Sequence, residues 1–174
     1  MTASRAATSL PKPFQYNSHL LRIKGLTLFQ AHYSPHNLVP YIASRYLADF
    51  DNPIRPKVVH AYRTRERGIL WWTVMSGHLA GMRPVVRTWY ARRVRLGFRA
   101  ALGERGYDGE GRKREGGRGL RGTVEIRMGR LLFGAGREEV ARQLGLLVEG
   151  LEGKMAERGR GKGMGVVDSS RRRM

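Results

Sequence analysis

Cysteine is absent from this chain of 174 residues, which removes disulfides, thiolate nucleophiles and thiolate metal sites together. Long apolar runs are absent too. Runs such as Ile69–Trp72 (ILWW) fall far short of the roughly 20 residues a membrane span needs. Acid is scarce: 14 Asp and Glu stand against 33 Lys and Arg. The first acidic residue is Asp49, and none occurs between Arg67 and Ala101. The common signatures of phosphate-loop and dinucleotide enzymes are also missing. GRGKGMG (Gly159–Gly165) has the letters of a phosphate loop without its spacing or a preceding strand, and no GxGxxG or nucleophile elbow occurs. Paired carboxylates are few. Asp49 and Asp51 read as turn residues before Pro53, and Glu138 and Glu139 as partners of a helix N-terminus. Of five histidines, His32 and His36 have the four-residue spacing of two metal ligands on a helix, but Pro35 opposes a helix there and no third ligand is evident. The sequence therefore predicts a protein that is not an enzyme and uses no metal or cofactor.

What the chain has in abundance is arginine. The net charge is +19, from 27 Arg and only 6 Lys against the acids. More than half of it, +10, lies in residues 55–99, which also hold all three tryptophans. Phosphates condense counterions that a basic protein releases on binding, so a polyanion is the expected partner. Arginine over lysine favours planar, bidentate phosphate contact. Part of the arginine excess is also what a GC-rich genome would give. A solvated helix face and a basic helix lying on anionic lipid are the competing readings.

The expected organisation is a basic N-terminal arm over 1–18, an α+β domain over 19–155 and a basic tail over 156–174. Residues 19–31 (HLLRIKGLTLFQA) alternate loosely and predict a strand. Leu38, Ile42 and Tyr46, with Phe50, predict an apolar helix face, with Asn37 as a possible N-cap. Residues 57–63 (KVVHAYR) and 69–76 (ILWWTVMS) predict two strands of a hairpin. From Pro84 to Leu102, Val86, Tyr90, Val94, Phe98 and Ala101 form a stripe, with Arg92, Arg95 and Arg99 opposite it. Arg93 breaks the pattern and must snorkel or pair. Residues 103–122 carry eight glycines and read as a flexible loop. Thr123–Met128 predicts a strand, and Arg137–Met155 the cleanest helix. The order β-α-β-β-α-β-α predicts a ferredoxin-like sheet with helices on one face, or a thioredoxin-like arrangement.

The candidate RNA-binding residues are Arg92, Arg95 and Arg99 with Arg87 on the basic helix, and Arg63, Arg65 and Arg67 in the hairpin connection. In the tail they are Arg158, Arg160, Lys162, Arg171, Arg172 and Arg173. Trp71, Trp72 and Trp89 are candidates for stacking on bases, with core packing expected for at least two of them. The pattern of an RNA-recognition motif is absent from ILWWTVMS.

LTLFQAHYSP (Leu26–Pro35), the helix after it and NPIRPKVV (Asn52–Val59) resemble the opening of the thioredoxin-like mitochondrial ribosomal proteins: a strand, a helix, and an Asn-Pro before the second strand. Basic, compact and armed, the whole chain is similar in character to mitochondrial ribosomal proteins. The resemblance implies a structural constituent of the mitochondrial ribosome in the matrix, with rRNA and neighbouring ribosomal proteins as partners. The start, MTASRAATSLPKPF, resembles a mitochondrial targeting region in being Arg- and Ser-containing and acid-free, although Pro11 and Pro13 break any long helix and a plain basic arm fits equally. Two alternatives remain open: a non-catalytic subunit of an RNA-processing ribonucleoprotein, such as a ribonuclease P-like complex, and an enzyme acting on nucleic acid.

Overall fold

The computed structural model describes residues 10–14, 18–79 and 81–161. The fold is α+β, built on a four-stranded mixed sheet. Strands β1 (His19–Leu21) and β2 (Phe29–Ser34) form an antiparallel hairpin. Helices α1 (Tyr41–Ala48) and α2 (Arg55–Thr64) follow, then β3 (Leu70–Met75), α3 (Pro84–Glu104), β4 (Gly122–Met128) and α4 (Arg137–Gly161). The strand order is β1-β2-β4-β3, with β2 antiparallel to β4 and β3 parallel to it.

Alternation places Phe29, Ala31, Tyr33, Leu70, Val74, Val124, Ile126 and Met128 on one sheet face. They share one core cluster with Val94, Phe98 and Leu102 of α3 and Leu144, Leu147 and Leu151 of α4. The two helices meet closely at Gly97, where a Cβ would stand 2.7 Å from Leu144 Cδ1. Gln143 is buried in this layer and joins α4 to the start of the sheet. Its Oε1 accepts from the backbone N–H of Thr27 (2.9 Å) and Leu28 (2.8 Å), and its Nε2 donates to Thr27 Oγ1. The opposite sheet face is more polar, with His32, Ser34, Thr123, Glu125 and Arg127 in register across β2 and β4. There the fully buried Glu125 accepts the N–H of Tyr41 at the start of α1 (2.8 Å).

Four elements differ from the sequence expectation. The single strand over 19–31 is a hairpin, because Gly25 takes a left-handed φ of 83° that turns the chain. Leu21 then pairs with Ala31 on the buried face. The expected strand over 57–63 is helix α2. Asn52 Oδ1 accepts the N–H of Ile54, Pro56 sits in the first turn, and Val58, Val59 and Tyr62 share a helical face that docks on Trp71 (Tyr62–Trp71 centroids 5.6 Å). Asn52-Pro53 therefore precedes a helix, unlike the order by which this stretch resembles ribosomal proteins. The helix after β2 starts at Tyr41, since Asn37 does not cap it. The Asn37 amide instead donates to Ile69 O (2.9 Å) and accepts from Gly68 N (2.7 Å), tying two loops together. The apolar face expected there is covered only at its start: Leu38, ahead of α1, is buried, whereas neither α1 nor α2 buries a residue and Ile42, Tyr46 and Phe50 are exposed.

The fourth difference is the glycine-rich loop over 103–122, which is built into the fold. Tyr107, Gly111 and Leu120 are buried, Asp108 Oδ1 accepts from the N–H of Glu110 and Arg112, and the Arg112 guanidinium bridges Glu66, Asp108 and Glu110. The ferredoxin-like closure is corrected with these elements. In that arrangement an intervening strand splits each βαβ unit, whereas β3 and β4 here are parallel neighbours joined by α3. Helices also stand on both faces, since α2 packs against Trp71 while α3 packs against Trp72.

Candidate nucleic-acid interface

Helix α3 starts with Pro84 in its first turn, where the missing N–H costs nothing. It buries Ala91, Val94, Phe98, Ala101 and Leu102. This fixes the helix in rotation and turns Arg92, Arg95 and Arg99 to solvent, all three exposed. They span about 10 Å of helix axis at 1.5 Å per residue. Among the described residues none of the three has a carboxylate within ion-pair distance. The ridge does not end at Arg99. Gly103 lies one turn on, and the Arg114 guanidinium from the ordered loop stands 3.8 Å from where a Cβ of Gly103 would be. Arg114 is exposed and likewise forms no ion pair among the described residues. Sequence reasoning missed it, because the loop had been expected to be flexible.

The arginines after α2 lie beside the same edge strand. The sheet ends at β3, whose Leu70 N–H donates to Glu110 O in the loop (3.0 Å). Successive tryptophans of β3 point to opposite faces, and each carries an arginine. The Arg99 guanidinium lies 5.6 Å from the centroid of Trp72, and that of Arg65 lies 4.7 Å from Trp71. Such contacts hold a cation in place without neutralising it. Both indoles are structural. Trp71 is fully buried and donates to Glu66 O (2.9 Å), while Trp72 packs on Phe98 and donates to Gly109 O (2.8 Å). Trp89, at 56% exposure, is the one left with an open surface, and Arg93 stacks over it at 5.7 Å, which is the pairing its odd position on the wheel required.

Arg63 and Arg67 are exposed at the end of α2 and in the following loop, with Arg63 beside Arg55 and His60. Arg87 departs from the expected group. It sits toward the core side of α3, half-buried, with its Nε enclosed and without a hydrogen-bond partner among the described residues. Arg158 and Arg160 fall on the last turn of α4, where only the backbone is described, and Lys162, Arg171, Arg172 and Arg173 lie outside the described residues, as do most of the two expected arms.

Four other arginines, Arg105, Arg112, Arg127 and Arg142, pair with carboxylates among the described residues. Arg105 pairs with Glu149 (2.9 Å) and Glu152; burial works against its charge, but these carboxylates outweigh it and raise its pKa. Arg112 is raised by Glu66 first and Asp108 next. Bonds from Arg142, then Gln143, hold the Glu139 carboxyl down at about 2. Asp49 and Asp51 are turn residues as expected, since Asp49 Oδ1 accepts the N–H of Asp51 (3.2 Å). Among the described residues no three His, Asp or Glu side chains converge to hold a metal, and no helix is long and apolar enough to cross a membrane.

No protein-family model, curated protein or solved structure matches this chain.

Proposed function

We propose that this chain is a non-catalytic RNA-binding protein that lies along an rRNA backbone as a structural constituent of the mitochondrial ribosome. The observation that carries the RNA reading is the row Arg92–Arg95–Arg99, continued by Arg114: exposed guanidinium groups without carboxylates on a helix held in rotation by its core face. Like charges at this spacing repel by a few tenths of a kcal/mol each, a cost that a row of phosphates reverses. Arg65 and Arg99, stacked on the two faces of β3, extend the basic surface around the sheet edge. Contacts of this kind position the protein on RNA without reading its sequence. The ribosomal and mitochondrial parts of the proposal rest on the resemblance in composition and arms.

Crosslinking in mitochondrial extract, mapped to both protein residue and RNA, tests it. Crosslinks from α3 and the 103–122 loop to rRNA, in material that co-sediments with a ribosomal subunit, are the expected result. Crosslinks to another RNA in a smaller particle would instead support the RNA-processing alternative, and absence of RNA crosslinks from α3 would remove the RNA reading.

A further inference from the structure

On the other side of the ridge, α3 and the start of α4 enclose a groove of about 810 Å³. Its floor is aliphatic, with Leu96, Ala100 and Ala101 of α3 and Val140 and Ala141 of α4. Leu96 and Trp89 are 55% and 56% exposed, large apolar side chains of the lining left in solvent. Its rim carries Arg92, Arg93 and Arg137 against a single acid, Glu104. None of these four forms an ion pair among the described residues.

We propose that this groove docks an amphipathic helix with acidic flanks from a protein neighbour. The aliphatic floor offers no hydrogen-bonding side chain to a base edge and only Trp89 as a stacking surface, which disfavours RNA. Two helices side by side with an apolar floor and a charged rim suit the i, i+3/i+4, i+7 side chains of a third helix. The sign of the rim selects the partner. Residues 1–9 contain Arg5 and no acid, and residues 162–174 contain Lys162 and three arginines against Asp168, so the chain's own ends bring like charge. A second copy, at +19, does the same. Arg92 belongs to both surfaces, but Arg93, Arg137 and Leu96 belong to the groove alone and Arg95 and Arg99 to the ridge alone, so the proposal is tested separately from the RNA reading.

The test uses the full chain with labelled methyl groups and a synthetic helix of about 18 residues, long enough to hold a helical face, with leucines on one face and glutamates flanking it. A scrambled peptide of the same composition and an RNA oligonucleotide are the comparisons. The amphipathic peptide is expected to bind at least about tenfold tighter than the scrambled one, shifting the methyls of Leu96, Ala100, Val140 and Ala141. Leu96→Ser is expected to weaken it about tenfold, and Arg93→Ala with Arg137→Ala by a similar factor, with circular dichroism unchanged. Arg95→Ala with Arg99→Ala leaves peptide binding intact while weakening the oligonucleotide, so failure of this proposal and of the RNA reading are told apart. Equal binding of both peptides, shifts elsewhere, indifference to Leu96→Ser, shifts of the groove methyls by the RNA, or self-association through the groove in sedimentation would each overturn it.

Discussion

Arg99 and Arg105 lie within two helical turns of each other, at the end of α3 and just past it, and their surroundings are opposite. Arg105 closes on Glu149 and Glu152 of α4, in a cluster that also takes the hydroxyl of Tyr107 (2.8 Å to Glu152). Arg99 rests on an indole face with no carboxylate among the described residues. The same contrast divides the loop, where Arg112 meets three acids and Arg114 meets none among the described residues. Carboxylates are scarce in this chain, and eight of the 14 pair with an arginine or lysine: Glu66, Glu149 and Glu152 across separate elements, Asp108 and Glu110 within the loop, and Glu125, Glu139 and Glu157 within their own strand or helix. The paired arginines belong to the fold. Arg92, Arg95 and Arg114 meet no carboxylate among the described residues, and their charge faces solvent.

The sharpest way to break this division is to reverse the unpaired side. Arg95→Glu with Arg99→Glu is expected to lower RNA affinity by about 100-fold or more at 0.1 M salt and to reduce the log–log salt slope by about 1.5 to 2. The melting temperature should stay within a few degrees. A salt slope equal to that of the parent would place those charges outside the contact. Changing the paired side should do the converse. Arg105→Ala is expected to lower unfolding free energy by about 1 kcal/mol, a value already reduced for solvent screening, because a third of the side chain is exposed. Its RNA affinity should change by less than about threefold. A stability unchanged in denaturant melts would count Arg105 among the outward-facing charges.

The smallest effect concerns pH. Burial first, and then the bond to Glu152, push the Tyr107 hydroxyl up to about 12. A folded-state pKa above the unfolded value favours the protonated phenol. Its contribution is therefore fully present below about pH 10 and is lost as pH rises from there through 12. The stability difference between the parent and Tyr107→Phe should shrink over that window. A constant difference from pH 9 to 12 would mean that the phenol is not held in the Arg105–Glu152 cluster.

How much of this was legible in the sequence depends on where each signal lay. Helices α3 and α4 were readable because their apolar stripes repeat over more than three turns, and the positions of Arg92, Arg95 and Arg99 follow from that period alone. Helix α2 was misread as a strand because KVVHAYR is rich in strand-favouring side chains, while its helical period is carried by half-buried residues. The hairpin of β1 and β2 turned on one left-handed glycine. The ordered loop could not be seen from its glycine content, since what holds it is the meeting of Arg112 with Glu66, 46 positions apart. Arg114 reaches the ridge for the same reason. Nothing in the sequence marks Gln143, which supplies the acceptor for two backbone donors at the start of the sheet.

Helix α3 is itself the crossover between the parallel neighbours β3 and β4, and both of its ends continue into the central structure. Its amide protons should therefore exchange with solvent only when the whole domain opens, whereas those of α1 and α2, which bury no residue, should exchange through local opening. A backbone held in this way keeps its guanidinium groups at fixed spacing under load, so a tug on any one of them is shared by the entire sheet.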